Sequence, residues 1–174
     1  MTDYAMTLPA SEESQLGPMA REDLRDALHR QVTQSMERGA CLLLGGEVPD
    51  RPGWWYPATV LTDVAPGMAA FDEELFGPVA AIVPAQDEAH AIELANQSDY
   101  GLGACVIGSD LERAERIAAD QLDAGCCFVN AFVRSDPRLP FGGIKDSGFG
   151  RELGRHGILE FVNAKTVYVA EHPA

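Results

Sequence analysis

Apolar positions along this chain fall into two patterns. Between Ala20 and Arg38, Leu24, Leu28, Val32 and Met36 recur at four-residue spacing, which predicts one stripe of an amphipathic helix that Gly39 stops. Later segments are short apolar runs bounded by glycine, proline or polar residues. Cys41-Leu42-Leu43-Leu44 closed by Gly45-Gly46, then 58–64, 80–84, 104–107 and 126–130, predict strands. Residues 88–96 predict a helix with Ala89, Ile92 and Ala95 on one face. Ser109-x-x-Glu112 is a capping-box pattern, opening a helix to about Leu122 with Leu111, Ala114, Ile117 and Ala118 inward. Strand, helix, strand, helix, strand in succession predicts an α/β fold with parallel pairing and right-handed crossovers. A short helix over about 151–161 follows. Residues Lys165 to Ala170 then predict a strand with no helix after it, hence an unpaired edge.

Composition narrows the classes. The chain has 174 residues, 46% of them hydrophobic, which suits one globular domain without disulfides or metal. Thirteen basic against 27 acidic side chains give a net charge of −14, which argues against nucleic acid and anionic membrane as partners. Cys41, Cys105, Cys126 and Cys127 lack CxxC spacing and lie in apolar stretches, so they are expected as buried free thiols in a reducing cytoplasm. The first eight residues show no basic n-region, and no run approaches the ~18 apolar residues of a membrane span. His29, His90, His156 and His172 are scattered without ligand spacing and read as surface residues, so no metal is expected. Residues 1–18 read as an extended lead-in.

Two stiff, Gly-containing segments carry candidate chemistry. In Phe71-Asp72-Glu73-Glu74-Leu75-Phe76-Gly77-Pro78-Val79, proline favours extended geometry before it. An extended chain turns Glu74 and Phe76 to the same side. A carboxylate beside a ring suits a ribose, accepting from both hydroxyls while the ring packs on the sugar. A helix-entry loop with a buried Phe and a solvated Glu fits the same residues. In Ser135-Asp136-Pro137-Arg138-Leu139-Pro140-Phe141-Gly142-Gly143, prolines stiffen and glycines turn a loop placed after a parallel strand, where ligands bind in α/β folds. Arg134 and Arg138 could attract an anion and Ser135 could donate to a carboxylate; a surface turn with solvated arginines is the alternative.

Gly148-Phe149-Gly150-Arg151-Glu152-Leu153-Gly154 has the look of a dinucleotide fingerprint, but its spacing is one residue too long and it follows a polar turn. It is expected to be a tight turn before the short helix. Cys126 or Cys127 could serve as a nucleophile, but adjacent strand residues face opposite ways, and no His or Lys lies nearby in sequence.

Taken in order, Gln15-Leu16-Gly17-Pro18-Met19, the Glu74 segment, Tyr100-Gly101-Leu102-Gly103, Val129-Asn130, the Pro140–Gly143 turn and Ser147-Gly148-x-Gly150-Arg151-Glu152 resemble the C-terminal part of the aldehyde dehydrogenase superfamily, over about 9–170. Residues 135–145 most resemble succinate-semialdehyde dehydrogenase-type members. The resemblance implies a three-layer parallel-sheet catalytic-domain segment over 19–161, with an oligomerisation strand and tail over 162–174. It implies that Glu74 binds the nicotinamide ribose hydroxyls, Phe76 packs beside that ribose, Phe141 walls the substrate tunnel and Ser135 lies near the substrate's distal carboxylate. It also implies NAD or NADP as cofactor, and a homo-oligomer or docking to a full-length relative through Lys165–Ala170.

The family's Gly-Gln-x-Cys nucleophile motif occurs nowhere in this sequence. The first eight residues do not resemble the family's helix and strand that lead from it, and the dinucleotide-binding domain is missing. The expectation is therefore a truncated chain, cytoplasmic, with little or no dehydrogenase activity alone, weak or no nucleotide binding, and exposed apolar patches that drive association. A non-enzymatic remnant acting as a docking module is the other reading.

Overall fold

Glu22 and Asp23 place negative charge at the N-terminus of α1 (Glu22–Glu37), where the helix dipole favours it. At the other end Gly39 adopts φ +112°. Its N–H reaches Met36 O at 3.0 Å, and Ala40 N–H reaches Ser35 O at 3.0 Å. That pair of bonds is a Schellman stop. The computed structural model describes Tyr4 and residues 6–171; the rest of the lead-in and the last three residues, His172 among them, lie outside the described residues. Two compact units emerge, Met1–Ala91 and Ile92–Ala174.

In the first unit, β1 (Cys41–Leu44) pairs antiparallel with β2 (Thr59–Thr62), and β2 pairs parallel with β3 (Val79–Ala81). The β2–β3 crossover carries the one-turn helix α2 (Ala69–Asp72). The core gathers Leu28 and Val32 from α1 with Tyr56, Leu61, Val64 and Ala70. The expected stripe rotates at its end. Ser35 is buried and Met36 is exposed, because the Ser35 hydroxyl donates to Gln31 O and accepts from the buried Ala70 N–H, both at 2.8 Å. Trp55 is buried and donates to Pro52 O at 2.8 Å, whereas Trp54 stays partly exposed under Arg25. Tyr56 is fully buried, and desolvation pushes its phenol up to about 12. His29, expected at the surface, is instead half-buried against that ring, its Nδ1 lying 3.3 Å from Tyr56 Oη.

The second unit pairs β5 (Gly103–Val106) in parallel with β6 (Cys126–Val129), and the crossover between them is α4 (Leu111–Asp120). The parallel pairing expected of the strand–helix–strand order holds here, across α4. β4 (Tyr100–Gly101) pairs antiparallel with β7 (Ile144–Lys145), and α5 is Gly154–Leu159. α4 buries Ala114, Ile117 and Ala118 as expected, but not Leu111. Its cap is Asp110 and not Ser109. The Asp110 carboxylate accepts from Arg113 N–H at 3.0 Å, the usual N-cap bond to the third helical residue, while Glu112 pairs with Arg116. α3 (Glu88–Asn96) buries no residue: Ala89 and Ala95 are exposed and Ile92 is half-buried.

Lys165–Ala170 forms no strand within the chain. Val167, Tyr168 and Val169 are exposed, and no ladder partner occurs among the described residues. No helix among them is long and apolar enough to cross a membrane.

Candidate functional site

The segment after α2 shows the expected alternation. Leu75 packs against the core, while Glu74 and Phe76 are exposed, Phe76 at 71%. The helix-entry alternative with a buried Phe is therefore overturned. Gly77 makes the segment lie flat on α1, since a Cβ there would meet Leu28 Cδ2 at 2.3 Å. Beside the ring, Met19, Leu24, Leu75 and Phe76 line an apolar depression of about 250 Å³. Sequence reasoning missed Gln31 on α1, whose Nε2 donates to Glu73 Oε2 at 2.8 Å and to Glu74 O at 3.2 Å. No sequence pattern announces that contact, because it joins distant positions.

The second unit holds the other two predicted residues. Gly125 leads into β6 and meets the 140–143 turn so closely that a Cβ on it would lie 1.8 Å from Gly142 O. Phe141 is fixed by a reciprocal pair of backbone bonds with Glu152, both 2.8 Å, and Arg151 donates to Gly143 O at 2.9 Å. Phe141 stands between two cavities. One, of about 350 Å³, is lined by Cys126, Cys127, Arg134, Asp136 and Leu139 as well as Phe141. The other, of about 380 Å³, is lined by Leu102, Phe149, Arg151 and Phe161 with Phe141. Ser135 is exposed and lines neither, although its neighbours Arg134 and Asp136 line the first.

The two arginines of this loop differ. Arg138 is locked to Asp136, Nε to Oδ1 at 2.9 Å and Nη2 to Oδ2 at 2.6 Å, so the expectation that it attracts an anion is corrected. That bidentate pair holds the Asp136 carboxyl well below the usual carboxylate range, with Arg134 adding its charge. An Asp two residues before an Arg was the readable signal for the clamp. Arg134 makes no such bond among the described residues and faces the first cavity.

The thiols also depart from expectation. Cys41 and Cys105 are exposed, because each occupies an outward register of its alternating strand. Cys126 and Cys127 are half-buried. Burial, helped by neighbouring Cys126, pushes the Cys127 thiol up, which makes it a poorer nucleophile. The glycine cluster is the expected turn, with Gly148, Gly150 and Gly154 all at positive φ. Among the described residues no three His, Cys, Asp or Glu side chains converge to hold a metal.

The model of the aldehyde dehydrogenase family matches residues 1–167, starting eight residues before the stretch that carries the resemblance in sequence. The succinate semialdehyde dehydrogenase [NAD(P)+] Sad of Escherichia coli K12 is 53% identical over 92% of this chain and 34% of the relative. The succinate-semialdehyde dehydrogenase [NADP(+)] of Deinococcus radiodurans is 48% identical over 91% of this chain and 33% of the relative. The crystal structure of an NAD-dependent aldehyde dehydrogenase from Sinorhizobium meliloti superposes with a TM-score of 0.94 at 38% identity, over 99% of this chain and 34% of that one. A Mycobacterium tuberculosis aldehyde dehydrogenase complexed with NAD+ gives a TM-score of 0.92 at 35% identity, over 99% and 36% respectively. The chain thus spans about a third of the length of the relatives it matches.

Proposed function

The chain belongs to the aldehyde dehydrogenase family, and we propose that it is the C-terminal catalytic-domain segment of an NAD(P)-dependent enzyme that oxidises succinate semialdehyde or a similar acidic aldehyde to its acid. The observation that carries this reading is the side-by-side exposure of Glu74 and Phe76 with Leu75 turned inward. That arrangement fits a ribose: a carboxylate to accept from two hydroxyls and a ring for the sugar's apolar face. Glu74 and Phe76 would hold the nicotinamide end of NAD or NADP, which, when bound, accepts hydride from the substrate carbon. Phe141 would wall the aldehyde's path. Arg134, facing the cavity beside Phe141, would draw in the distal carboxylate, with Ser135 nearby.

The chain has no Gly-Gln-x-Cys, so the thiolate that attacks the aldehyde must come from polypeptide outside these 174 residues. Alone, the chain is inactive and binds nucleotide weakly, because the residues proposed to grip it reach only the nicotinamide ribose.

A second reading, a non-enzymatic docking module or homo-oligomer, draws on the exposed strip at the C-terminus. Phe161 is 90% and Tyr168 87% exposed, and Lys165–Ala170 has no ladder among the described residues. An exposed segment of strand-like composition is suited to adding to a sheet edge of a second subunit.

Co-expression with the preceding part of the Escherichia coli relative tests the enzymatic reading. A stable pair is expected to reduce NAD or NADP with succinate semialdehyde. Glu74→Gln in that pair is expected to lower kcat/KM by about 10- to 100-fold, the worth of charge-assisted bonds to the ribose. A stable but inactive pair would favour the docking reading.

A further inference from the structure

We propose that Gln31 is the positioning residue that holds the 73–77 segment in the shape that turns Glu74 and Phe76 outward; this rests on the reading of Glu74 as a ribose contact. The segment leaves α2 at Glu73, whose N–H still bonds Ala69 O at 3.0 Å, and joins β3 at Val79. Between those points Gly77 N–H bonds Leu75 O and Val79 N–H bonds Gly77 O, both 2.8 Å, and past Gly77 the Pro78 carbonyl accepts from Thr59 N–H at 2.9 Å. None of these bonds fixes Glu74. The Glu74 carbonyl is held by Gln31 Nε2, which also grips the Glu73 carboxylate. One amide nitrogen has two N–H groups, and both go to adjacent residues of the segment.

Gln31 lies three residues after Leu28 on α1, so both sit on one helix face. Leu28 meets the segment at Gly77 and Gln31 meets it at Glu73 and Glu74, with Leu75 packed into the core between them. The segment is therefore pinned at both ends to a single helix. The amide is also neutral. A cation at this position could compete for the Glu74 carboxylate, whereas Gln31 takes only its carbonyl and leaves the carboxylate free for a ligand. A carboxylate that must accept from two vicinal hydroxyls at once gains from such fixing, since reach to both depends on its backbone.

The test is ¹⁵N relaxation on the 174-residue chain. Order parameters of Glu74–Phe76 are expected near the rigid value of about 0.85 and, in Gln31→Glu, below about 0.6. That isosteric change removes the donor and sets a carboxylate against Glu73. Gln31→Lys restores a donor and is expected to restore order, while α1 order parameters stay constant in both variants. Rigid Glu74–Phe76 amides in Gln31→Glu would overturn the proposal, as would failure of the lysine to rescue.

Titration with nicotinamide mononucleotide, followed by chemical shift, separates the two claims. Weaker binding by about 3- to 10-fold in both Glu74→Gln and Gln31→Glu supports both. Weakening in Glu74→Gln alone overturns the positioning role. Weakening in neither variant, or no binding by the unsubstituted chain, removes support from the ribose reading and leaves the relaxation result to judge Gln31.

Discussion

Replacing Gly125 with alanine is expected to cost about 3 kcal/mol or more and to loosen β6 together with the turn that presents Phe141. The added Cβ would lie 1.8 Å from Gly142 O, 2.8 Å from Gly142 C and 3.1 Å from Gly143 Cα. All three are backbone atoms, so no rotamer change relieves the clash. Either the 140–143 turn moves away, taking Phe141 with it, or Gly125 does. Gly125 is itself tied by its N–H to Gly101 O at 2.9 Å, so the second route strains β4. Urea unfolding of the variant, with amide exchange across β5 and β6, checks this. Gly108→Ala is the control: a methyl group there would meet nothing within 4 Å, and the change is expected to be nearly neutral.

Truncating Leu28 to alanine is expected to cost about 2–5 kcal/mol, the usual range for a buried leucine whose surroundings relax only in part. Leu28 is 1% exposed and sits with Val32, Tyr56, Leu61 and Val64. Its loss also empties the space against Gly77, so the Glu74 segment loses one of its two anchors on α1. Urea titration gives the stability change. A variant that keeps the volume, Leu28→Met, is expected to lose less than about 1.5 kcal/mol. A near-neutral Leu28→Ala would mean that the core of the first unit lies elsewhere.

Much of the fold is legible in the sequence where the cause is local. The α1 stripe, the Gly39 stop and the parallel β5–α4–β6 unit follow from spacing and from the geometry glycine allows. The outward turn of Glu74 and Phe76 follows from two-residue alternation on an extended chain. Where local signals compete, the sequence pattern points one residue away from the structure. Ser109 and Asp110 can both cap, and Asp110 does. Met36 continues a four-residue spacing, but a helix advances 3.6 residues per turn, and Ser35 takes the inward place by meeting Ala70 N–H.

Features that depend on distant partners are not legible. Gln31 reaches Glu73 and Glu74 only because α1 packs under their segment. The apolar surroundings of Cys41 and Cys105 in sequence suggest burial, yet their strand registers point outward. Lys165–Ala170 has the composition of a strand but finds no ladder partner among the described residues.

Under the proposed function, the first unit offers a ribose contact and the second an aldehyde path, but neither supplies the bond-forming sulfur. Incubating the purified 174-residue chain with succinate semialdehyde and NAD or NADP, and following the absorbance of reduced nicotinamide, tests that claim most directly. The expected result is no aldehyde-dependent signal above buffer. Sustained reduction that disappears when the chain's cysteines are alkylated would contradict it.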